Sequence, residues 1–211
     1  MIQWVYERAS KAKLLEQVIV ATDDERIADA AQRIGARVRM TSPLHTSGTE
    51  RIAEVAKDVT TPIIINIQGD EPLVEAKMID KLVLSLQDDS IPMASLMARV
   101  YDIELVEDPN IVKVVIDNNG FALYFSRSPL PFQAADYFLQ HIGIYGFQRN
   151  FLLDFIKLKP TRLEKTEKLE QLKALEHGFK IKMIETQHYA LSIDVPQDII
   201  RLEHFLEKKG K

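Results

Sequence analysis

The protein has 211 residues, of which 46% are hydrophobic and 27% are charged, a composition that favours one globular domain with enough apolar material for a core. Its 27 lysine and arginine residues stand against 31 acids, a formal net charge of −4, and we interpret the basic tail Lys208-Lys209-Gly210-Lys211 as a solvated helix end. This balance argues against a nucleic-acid partner, and the absence of cysteine excludes disulfides and thiolate metal sites.

The first predicted element is an amphipathic helix in residues 1 to 13, where Ile2, Val5, Tyr6 and Ala9 follow a helical spacing. A polar helix of this kind is unlike a signal peptide, and no later stretch is apolar for long enough to span a bilayer. We therefore expect a cytoplasmic protein with no membrane partner.

Strands and helices then alternate up to residue 87. The strands are "QVIVATDD", "ARVRMT" and "PIIINIQ", and the helices that follow them are "ERIADAAQRIG", "GTERIAEVAKDV" and "AKMIDKLVLSLQ". Such alternation predicts a parallel sheet with helices on both faces.

The pattern changes from residue 93. Three segments are strand-like, "MASLMARV", "VKVVID" and "FALYFS", and Asn118-Asn119-Gly120 predicts a hairpin turn between the last two because these residues adopt positive φ at low cost. The rest of the chain is predicted as a strand "HIGIYGF", helices around 149 to 157 and 163 to 177, a strand "KIKMIET", the irregular "QHYALSIDVP" and a helix from Gln197. We predict one domain, residues 1–211, with an α/β core and an antiparallel insertion at about 93–147.

Three polar clusters follow predicted strands, at the edge where an open parallel sheet binds its ligands. They are Thr22-Asp23-Asp24, "HTSGTER" at 45 to 51 and "QGDEP" at 68 to 72. Helix capping explains "HTSGTER" as readily as ligand binding does, so both interpretations stay open there, whereas capping is the favoured interpretation of Thr22-Asp23-Asp24.

The third cluster has a more specific chemistry. Asp70 and Glu71 at the end of a buried strand would repel one another unless water, a cation or a hydrogen-bond donor lies between them. Mg²⁺ usually takes one or two carboxylates and bridges to substrate phosphates, so the pair indicates a candidate magnesium site. Asp194 in "SIDVP" is a second candidate ligand, although an ordinary helix N-cap also explains it.

Several long motifs carry a family resemblance. In chain order they are "VIVATDD", "MTSPLHTSGTERIAEV", "NIQGDEP", "KVVIDNNGFALYFSRSPLP", "HIGIYGF", "EKLEQLKALEHG" and "IDVPQDI". Together they resemble 3-deoxy-manno-octulosonate cytidylyltransferase, the CMP-Kdo synthetase of lipopolysaccharide biosynthesis. The resemblance implies a Rossmann-like, nucleotide-diphospho-sugar-transferase-type fold, with a mostly parallel sheet and an antiparallel insertion, and a homodimer formed through that insertion.

The resemblance also implies a reaction and a site. The anomeric hydroxyl of the sugar acid Kdo would attack the α-phosphate of CTP, and diphosphate would leave, with Mg²⁺ as cofactor. Asp70 and Asp194 would be the catalytic metal ligands. The implied nucleotide-binding residues are Thr22, Asp23, His45, Ser47, Gly48, Thr49 and Arg51, and the implied sugar-binding residues are Gln68, Arg127, His141, Tyr145, Glu170 and Gln171.

Structural roles explain several of these residues without a ligand. His141 and Tyr145 could be core side chains, Glu170 could be solvated on a charged helix, and Arg127 could form a salt bridge at an interface. A guanidinium also suits a two-pronged contact with the sugar carboxylate, so both interpretations of Arg127 stay open.

The sequence departs from the family pattern at three places. Members begin with a strand and a basic loop of the type "PAR-x-x-S-x-R-x-P-x-K-P", whereas this sequence begins at "MIQWVYERA", which resembles the helix after that loop. We therefore expect Met1 to be an internal methionine or the chain to be incomplete. The link from Pro131 to His141 is short for the family, and "YALSI" replaces a glycine-containing approach to Asp194.

Three alternatives to CMP-Kdo synthesis follow from these departures. The protein could act on another sugar acid, as a CMP-sialate-type synthetase does. It could also be an inactive remnant that still binds a nucleotide or a sugar acid, or a bare structural or dimerisation module.

Overall fold

The structure is a computed structural model, and it describes residues 1–134 and 136–187. The helices are α1 (Ile2–Ala9), α2 (Glu25–Arg33), α3 (Gly48–Ala56), α4 (Ala76–Ser85), α5 (Arg149–Phe155), α6 (Arg162–Glu167) and α7 (Leu172–Glu176), with a 3₁₀ helix at Ile103–Glu107. The strands are β1 (Ile19–Thr22), β2 (Arg37–Met40), β3 (Ile63–Asn66), β4 (Met93–Val100), β5 (Lys113–Ile116), β6 (Ala122–Ser126), β7 (Phe138–Gln148) and β8 (Ile181–Thr186). The predicted helix from Gln197 lies outside the described residues.

The described strands form two sheets. β1 and β2 pair in parallel, and a six-stranded sheet has the order β6-β5-β7-β4-β8 with β3 also paired to β7. The pairings make β3, β4, β5 and β8 run in one direction and β6 and β7 in the other. The predicted α/β class, with mostly parallel strands and antiparallel elements, is therefore confirmed.

The long strand β7 organises the larger sheet. Its 11 residues pair with β4 along one edge. On the other edge, β3 pairs with the stretch from Tyr145 to Gln148, and β5 pairs at Gln140. His141 N also donates to Val112 O at 2.8 Å, so the edge between these two pairings is left open at residues 142 to 144, between the end of β3 and the start of β5.

The predicted hairpin is confirmed. β5 and β6 are antiparallel, and Gly120 has φ +75° in the turn between them. The carboxylate of Asp117 accepts hydrogen bonds from the backbone N–H groups of Asn119 and Phe121, both at 2.8 Å, as expected for an Asx-type turn.

The predicted helix at 163 to 177 is wrong as a single element. It is divided into α6 and α7 because Lys168 adopts a left-handed conformation with φ 55° and ends α6. No glycine or proline marks the break in the sequence. Leu169 and Leu172 are both buried in the core, so tertiary packing overrides the continuous helical pattern.

Apolar clusters cover both faces of the larger sheet. One includes Phe125 and Phe147 with residues of α5 and α7, and the other includes Ile142 and Ile144 with residues of α1 and α4. Alternate residues of β7 thus enter opposite clusters, as the pleat of a strand requires. Among the described residues, no helix is both long and apolar enough to cross a bilayer.

Helix α4 offers a matched test of this packing. Leu82 is fully buried, whereas Leu84 on the same helix is 54% exposed. We expect Leu82→Ala to lower the free energy of unfolding by about 2–5 kcal/mol, through lost burial and the cavity left behind. Leu84→Ala should change it by less than about 0.5 kcal/mol. Urea unfolding of both variants measures the difference, and equal effects would contradict the assigned core.

Candidate active site

A cavity lies at the open edge of β7. Its volume is about 170 Å³, and Glu71, Val112, His141, Tyr145 and Gln171 are among the residues that line it. Glu71 follows β3 and Val112 precedes β5, so the cavity fills the interval between the two strands that share this edge. In an open sheet, ligands bind beyond the carboxyl ends of parallel strands, which is where β3 ends.

A chain of hydrogen bonds connects three of the predicted sugar-binding residues. The Tyr145 hydroxyl donates to Gln171 Oε1 at 3.1 Å, and Gln171 Nε2 lies 3.5 Å from His141 Nδ1. The other ring nitrogen of His141, Nε2, lies 2.8 Å from Ser95 Oγ. The structure therefore brings His141, Tyr145 and Gln171 together, although they lie on two separate elements.

The directions of these bonds fix the tautomer of His141. Ser95 Oγ lies 3.0 Å from the Ile144 carbonyl oxygen, which can only accept, so the serine hydroxyl donates there. Ser95 Oγ is then an acceptor for His141 Nε2–H, and the Gln171 amide donates to Nδ1. One of the two Gln171 amide hydrogens is therefore committed to His141, and the Tyr145 oxygen keeps its lone pairs for a ligand.

Burial keeps the His141 ring neutral. Only 7% of the residue is exposed, and desolvation lowers its pKa from 6.5 to about 3. Burial also raises the pKa of Tyr145, and the negative charges of Glu170 and Glu71 raise it further. The cavity thus combines neutral hydrogen-bonding groups with the carboxylate of Glu71, and Glu170 directly precedes the lining residue Gln171.

Glu170 joins this region to the start of α3. Its carboxylate accepts hydrogen bonds from Ser47 Oγ at 3.0 Å and from Thr49 Oγ1 at 2.6 Å. Ser47 is also the N-cap of α3, because its side chain accepts from Glu50 N. A predicted sugar-binding residue therefore contacts two predicted nucleotide-binding residues, and Gln171 follows it directly.

Gly48 and Gln68 are also in close contact. A Cβ atom built on Gly48 would lie 2.6 Å from Gln68 Nε2, a distance that would force the amide to move. Only glycine lets the Gln68 side chain rest against the first turn of α3 in this position. The end of β3 and the start of α3 therefore meet at these two residues.

The remaining nucleotide-binding candidates form a polar group beside β1. Arg51 forms an ion pair with Asp23 at 3.1 Å and donates to Thr41 Oγ1 at 2.6 Å. Thr22 is buried, and its side chain accepts a hydrogen bond from the backbone N–H of Asp24.

His45 lies in the segment between β2 and α3, and its ring hydrogen-bonds to the Glu54 carboxylate on α3. That bond and the Ser42 backbone N–H keep the pKa of the Glu54 carboxyl below its usual value. His45 is therefore positioned by the helix that follows it.

Arg127 does not line the cavity, and its side chain hydrogen-bonds to backbone carbonyl groups. Its guanidinium donates to the carbonyl oxygens of Glu167 at 3.0 Å and Pro109 at 2.9 Å. The buried ammonium of Lys113 contacts the carbonyl oxygens of Asp108 and Arg127 itself. Both cations therefore hold the segment before β5, which forms one side of the cavity.

The described residues that could hold Mg²⁺ belong to the turn after β3. Asp70 lies in this turn beside Glu71, and no group of three or more possible ligands is found within residues 1–134 and 136–187. Mg²⁺ usually keeps several waters and binds one or two carboxylates together with substrate phosphates, so this donor set fits the ion. Asp194, the other predicted ligand, lies outside the described residues.

Glu71 and Asn110 are among the cavity residues that the sequence does not predict as site residues. Glu71 was recognised only as a neighbour of Asp70, yet it is 6% exposed and its Oε1 would lie 3.7 Å from a Cβ on Gly143. Asn110 lines the cavity from the segment before β5. Its motif, "EDPN", looks like an ordinary turn, so the sequence contained no signal for it.

Comparisons with known proteins define the class of this site. The family model for Cytidylyltransferase matches residues 1–183. A solved CMP:2-keto-3-deoxy-manno-octonic acid synthetase, in complex with CTP, superimposes with a TM-score of 0.92 at 34% identity, covering 99% of this chain and 88% of that one. The protein is therefore an enzyme of the cytidylyltransferase family.

Curated relatives narrow the assignment. The 3-deoxy-manno-octulosonate cytidylyltransferase of Geobacter sulfurreducens is 47% identical over 99% of this chain and 88% of that protein. The same enzyme of Solibacter usitatus is 47% identical over 98% of this chain and 84% of that protein. The chain belongs to the 3-deoxy-manno-octulosonate cytidylyltransferases, and the family resemblance found in its motifs is confirmed.

The neutral state of His141 predicts a pH dependence of stability. An unfolded histidine takes up a proton below about pH 6.5, whereas the folded, buried ring does not until about pH 3. The stability that the neutral ring contributes is therefore present above pH 6.5 and is lost as the pH falls toward 3. Between these two pH values the free energy of unfolding should fall by up to about 1.4 kcal/mol per pH unit because of His141.

Urea unfolding between about pH 7 and pH 5 tests this with His141→Gln as the comparison. The two proteins have all other titrating groups in common. The free energy of unfolding of the wild type should therefore fall more steeply with decreasing pH than that of the variant. Parallel curves would show that folding does not lower the pKa of His141.

Proposed function

We propose that the protein transfers a cytidylyl group from CTP to 3-deoxy-manno-octulosonate (Kdo), forming CMP-Kdo and diphosphate for lipopolysaccharide biosynthesis in the cytoplasm. The observation that carries the proposal is the contact of Glu170 with Ser47 and Thr49, because it joins the sugar-side cavity to the start of α3. Two substrates bound on either side of this contact would have adjacent reacting ends.

The cavity suits the hydroxyl groups of a sugar. Glu71 and Gln171 supply oxygen acceptors, and the Tyr145 oxygen keeps free lone pairs, so sugar hydroxyls can donate to all three. Carboxylates repel another carboxylate, which directs the acid group of Kdo away from Glu71 and Glu170. Arg127 is our candidate for that group, once its guanidinium exchanges a backbone partner for it.

The nucleotide would lie against α3 and β1. The first backbone N–H groups of α3 and the side chains around Gly48 favour an anionic ligand, because a helix N-terminus carries a partial positive charge. Arg51 adds a full positive charge that Asp23 holds in place. Thr22 and His45 would border the same ligand.

Asp70, together with Asp194, would hold Mg²⁺ at the phosphates. A bound Mg²⁺ would neutralise developing charge on the phosphates and help to align the attacking and leaving oxygens. The anomeric oxygen of Kdo would form the new bond to the α-phosphorus, and the bond from that phosphorus to diphosphate would break. Binding both substrates in fixed positions would align the attacking oxygen with the α-phosphorus, as such a displacement needs.

Diphosphate release from CTP plus Kdo, measured with and without Mg²⁺, tests the activity. We expect release to need all three components, and Asp70→Asn to lower the rate by at least about 100-fold because it removes a charged ligand from the metal. Asp89→Asn, at an exposed position beyond α4, is the matched control and should retain the wild-type rate.

Unchanged turnover by Asp70→Asn would contradict the metal role. Release with sialic acid and little with Kdo would instead favour a CMP-sialate-type synthetase. No release, with calorimetric binding of CTP or Kdo, would favour a binding remnant. Failure to bind either ligand by a folded chain would favour a purely structural module.

We also propose that two copies associate through the predicted insertion. Three of its aromatic or aliphatic side chains are largely exposed, Tyr101 at 70%, Leu123 at 61% and Phe132 at 87%. Exposed apolar side chains that form one patch are typical of an interface, and a second copy would cover the same patch on both chains.

Sedimentation velocity tests the dimer. Phe132→Ser should weaken self-association by about tenfold or more if this ring is a central contact. Leu84→Ser, which removes another exposed apolar side chain on α4, should not alter it. A monomeric wild type, or equal behaviour of both variants, would contradict this interface.

A further inference from the structure

The first helix contacts the turn that carries Asp70 and Glu71. The indole Nε1 of Trp4 donates a hydrogen bond to the carbonyl oxygen of Pro72 at 2.8 Å. Pro72 is buried and directly follows the two acids. The partners are 68 residues apart, so this is a tertiary contact and not part of the local turn geometry.

The bonds within the turn are longer than the bond from Trp4. Glu71 N donates to Gln68 O, and Val74 N donates to Glu71 O, both at 3.3 Å. Pro72 has no backbone N–H, so it cannot donate a hydrogen bond that would stabilise the turn. Since N–H···O bonds are most favourable near 2.9 Å, the indole supplies the better-formed restraint on this segment.

Helix α1 is itself well supported. Val5 and Ala9 are buried in the same apolar cluster as Val74 and Met78 of the segment that follows the turn. The guanidinium of Arg8 lies 4.9 Å from the centre of the Trp4 ring, a cation–π contact that holds the ring in its orientation. The donor is therefore fixed before any ligand binds.

The rest of the turn also meets α1. The Cδ1 atom of Ile2 would lie 3.9 Å from a Cβ on Gly69, an ordinary packing distance. Ile2 thus lies near the start of the turn, and Trp4 is hydrogen-bonded to its end. Asp70 and Glu71 lie between these two contacts.

We propose that Trp4 is a positioning residue for cytidylyl transfer, acting through the Pro72 carbonyl to hold Asp70 and Glu71 in place. The proposal rests on the function proposed above, in which Asp70 acts at the phosphates and Glu71 at the sugar. A looser turn would spread both carboxylates over several positions and lower the fraction of molecules aligned for the transfer.

Hydrogen–deuterium exchange of the 211-residue chain with Trp4→Phe tests the restraint directly. Phenylalanine keeps an aromatic ring but lacks the donor. Exchange should become about three- to tenfold faster in the peptide spanning residues 68 to 76, corresponding to the loss of one hydrogen bond. Tyr6→Phe is the matched control, since it removes a hydroxyl from the same helix without touching Pro72.

Unchanged exchange in residues 68 to 76 would overturn the proposal. Faster exchange spread evenly over α1 and α4 would also overturn it, because the indole would then hold the helix and not the turn. Exchange needs no substrate, so this result is independent of whether the protein makes CMP-Kdo.

Kinetics supply the second readout. Trp4→Phe should lower kcat about three- to tenfold and raise the Mg²⁺ concentration needed for half-maximal rate, while Tyr6→Phe leaves both unchanged. A wild-type kcat and Mg²⁺ requirement in Trp4→Phe would overturn the positioning role even if the turn were looser. An inactive wild type would contradict the proposed function and not the restraint.

Discussion

The site depends on a gap in strand pairing along one edge of β7. Two other strands pair with this edge, and together they do not cover it. β7 is long enough to pair with β3 at one end and with β5 at the other, and it leaves residues 142 to 144 without a partner strand on that edge. A sheet edge of this kind exposes backbone and side-chain groups that a continuous ladder would cover. The cavity fills this interval, so its position follows from the lengths and registers of three strands.

A break between two short helices completes the site from the other side. The left-handed Lys168 ends α6, and the chain then delivers Glu170 to α3 and Gln171 to His141. A continuous helix from 163 to 177 would have placed its side chains along a straight axis, with a rise of about 1.5 Å per residue. The break changes the direction of the chain before Glu170 and Gln171, and so sets where this pair lies relative to α3 and β7.

The sequence predicted the local parts of this arrangement better than the long-range ones. The alternation of strands and helices, the Asn-Gly hairpin and the polar strand ends all depend on neighbours in the chain, and the composition of "QGDEP" indicates a candidate cation site. The shared edge of β7, the break at Lys168 and the bond of Trp4 to Pro72 depend on packing between distant residues. Family motifs identified His141, Tyr145 and Gln171 as one group, but only the structure shows the hydrogen bonds that connect them.

Charge distinguishes the two sides of the site in the proposed reaction. Both substrates are anions. Glu71 lines the cavity beside a histidine that burial keeps uncharged, and the charge of Glu170 is close enough to raise the pKa of Tyr145. A protonated imidazole at this place would attract the carboxylate of the sugar acid into the cavity. The neutral ring instead orients Gln171, and through it Tyr145, toward hydroxyl groups. Positive charge is concentrated outside the cavity, at Arg51 and Arg127, where the anionic ends of the two substrates would have to lie.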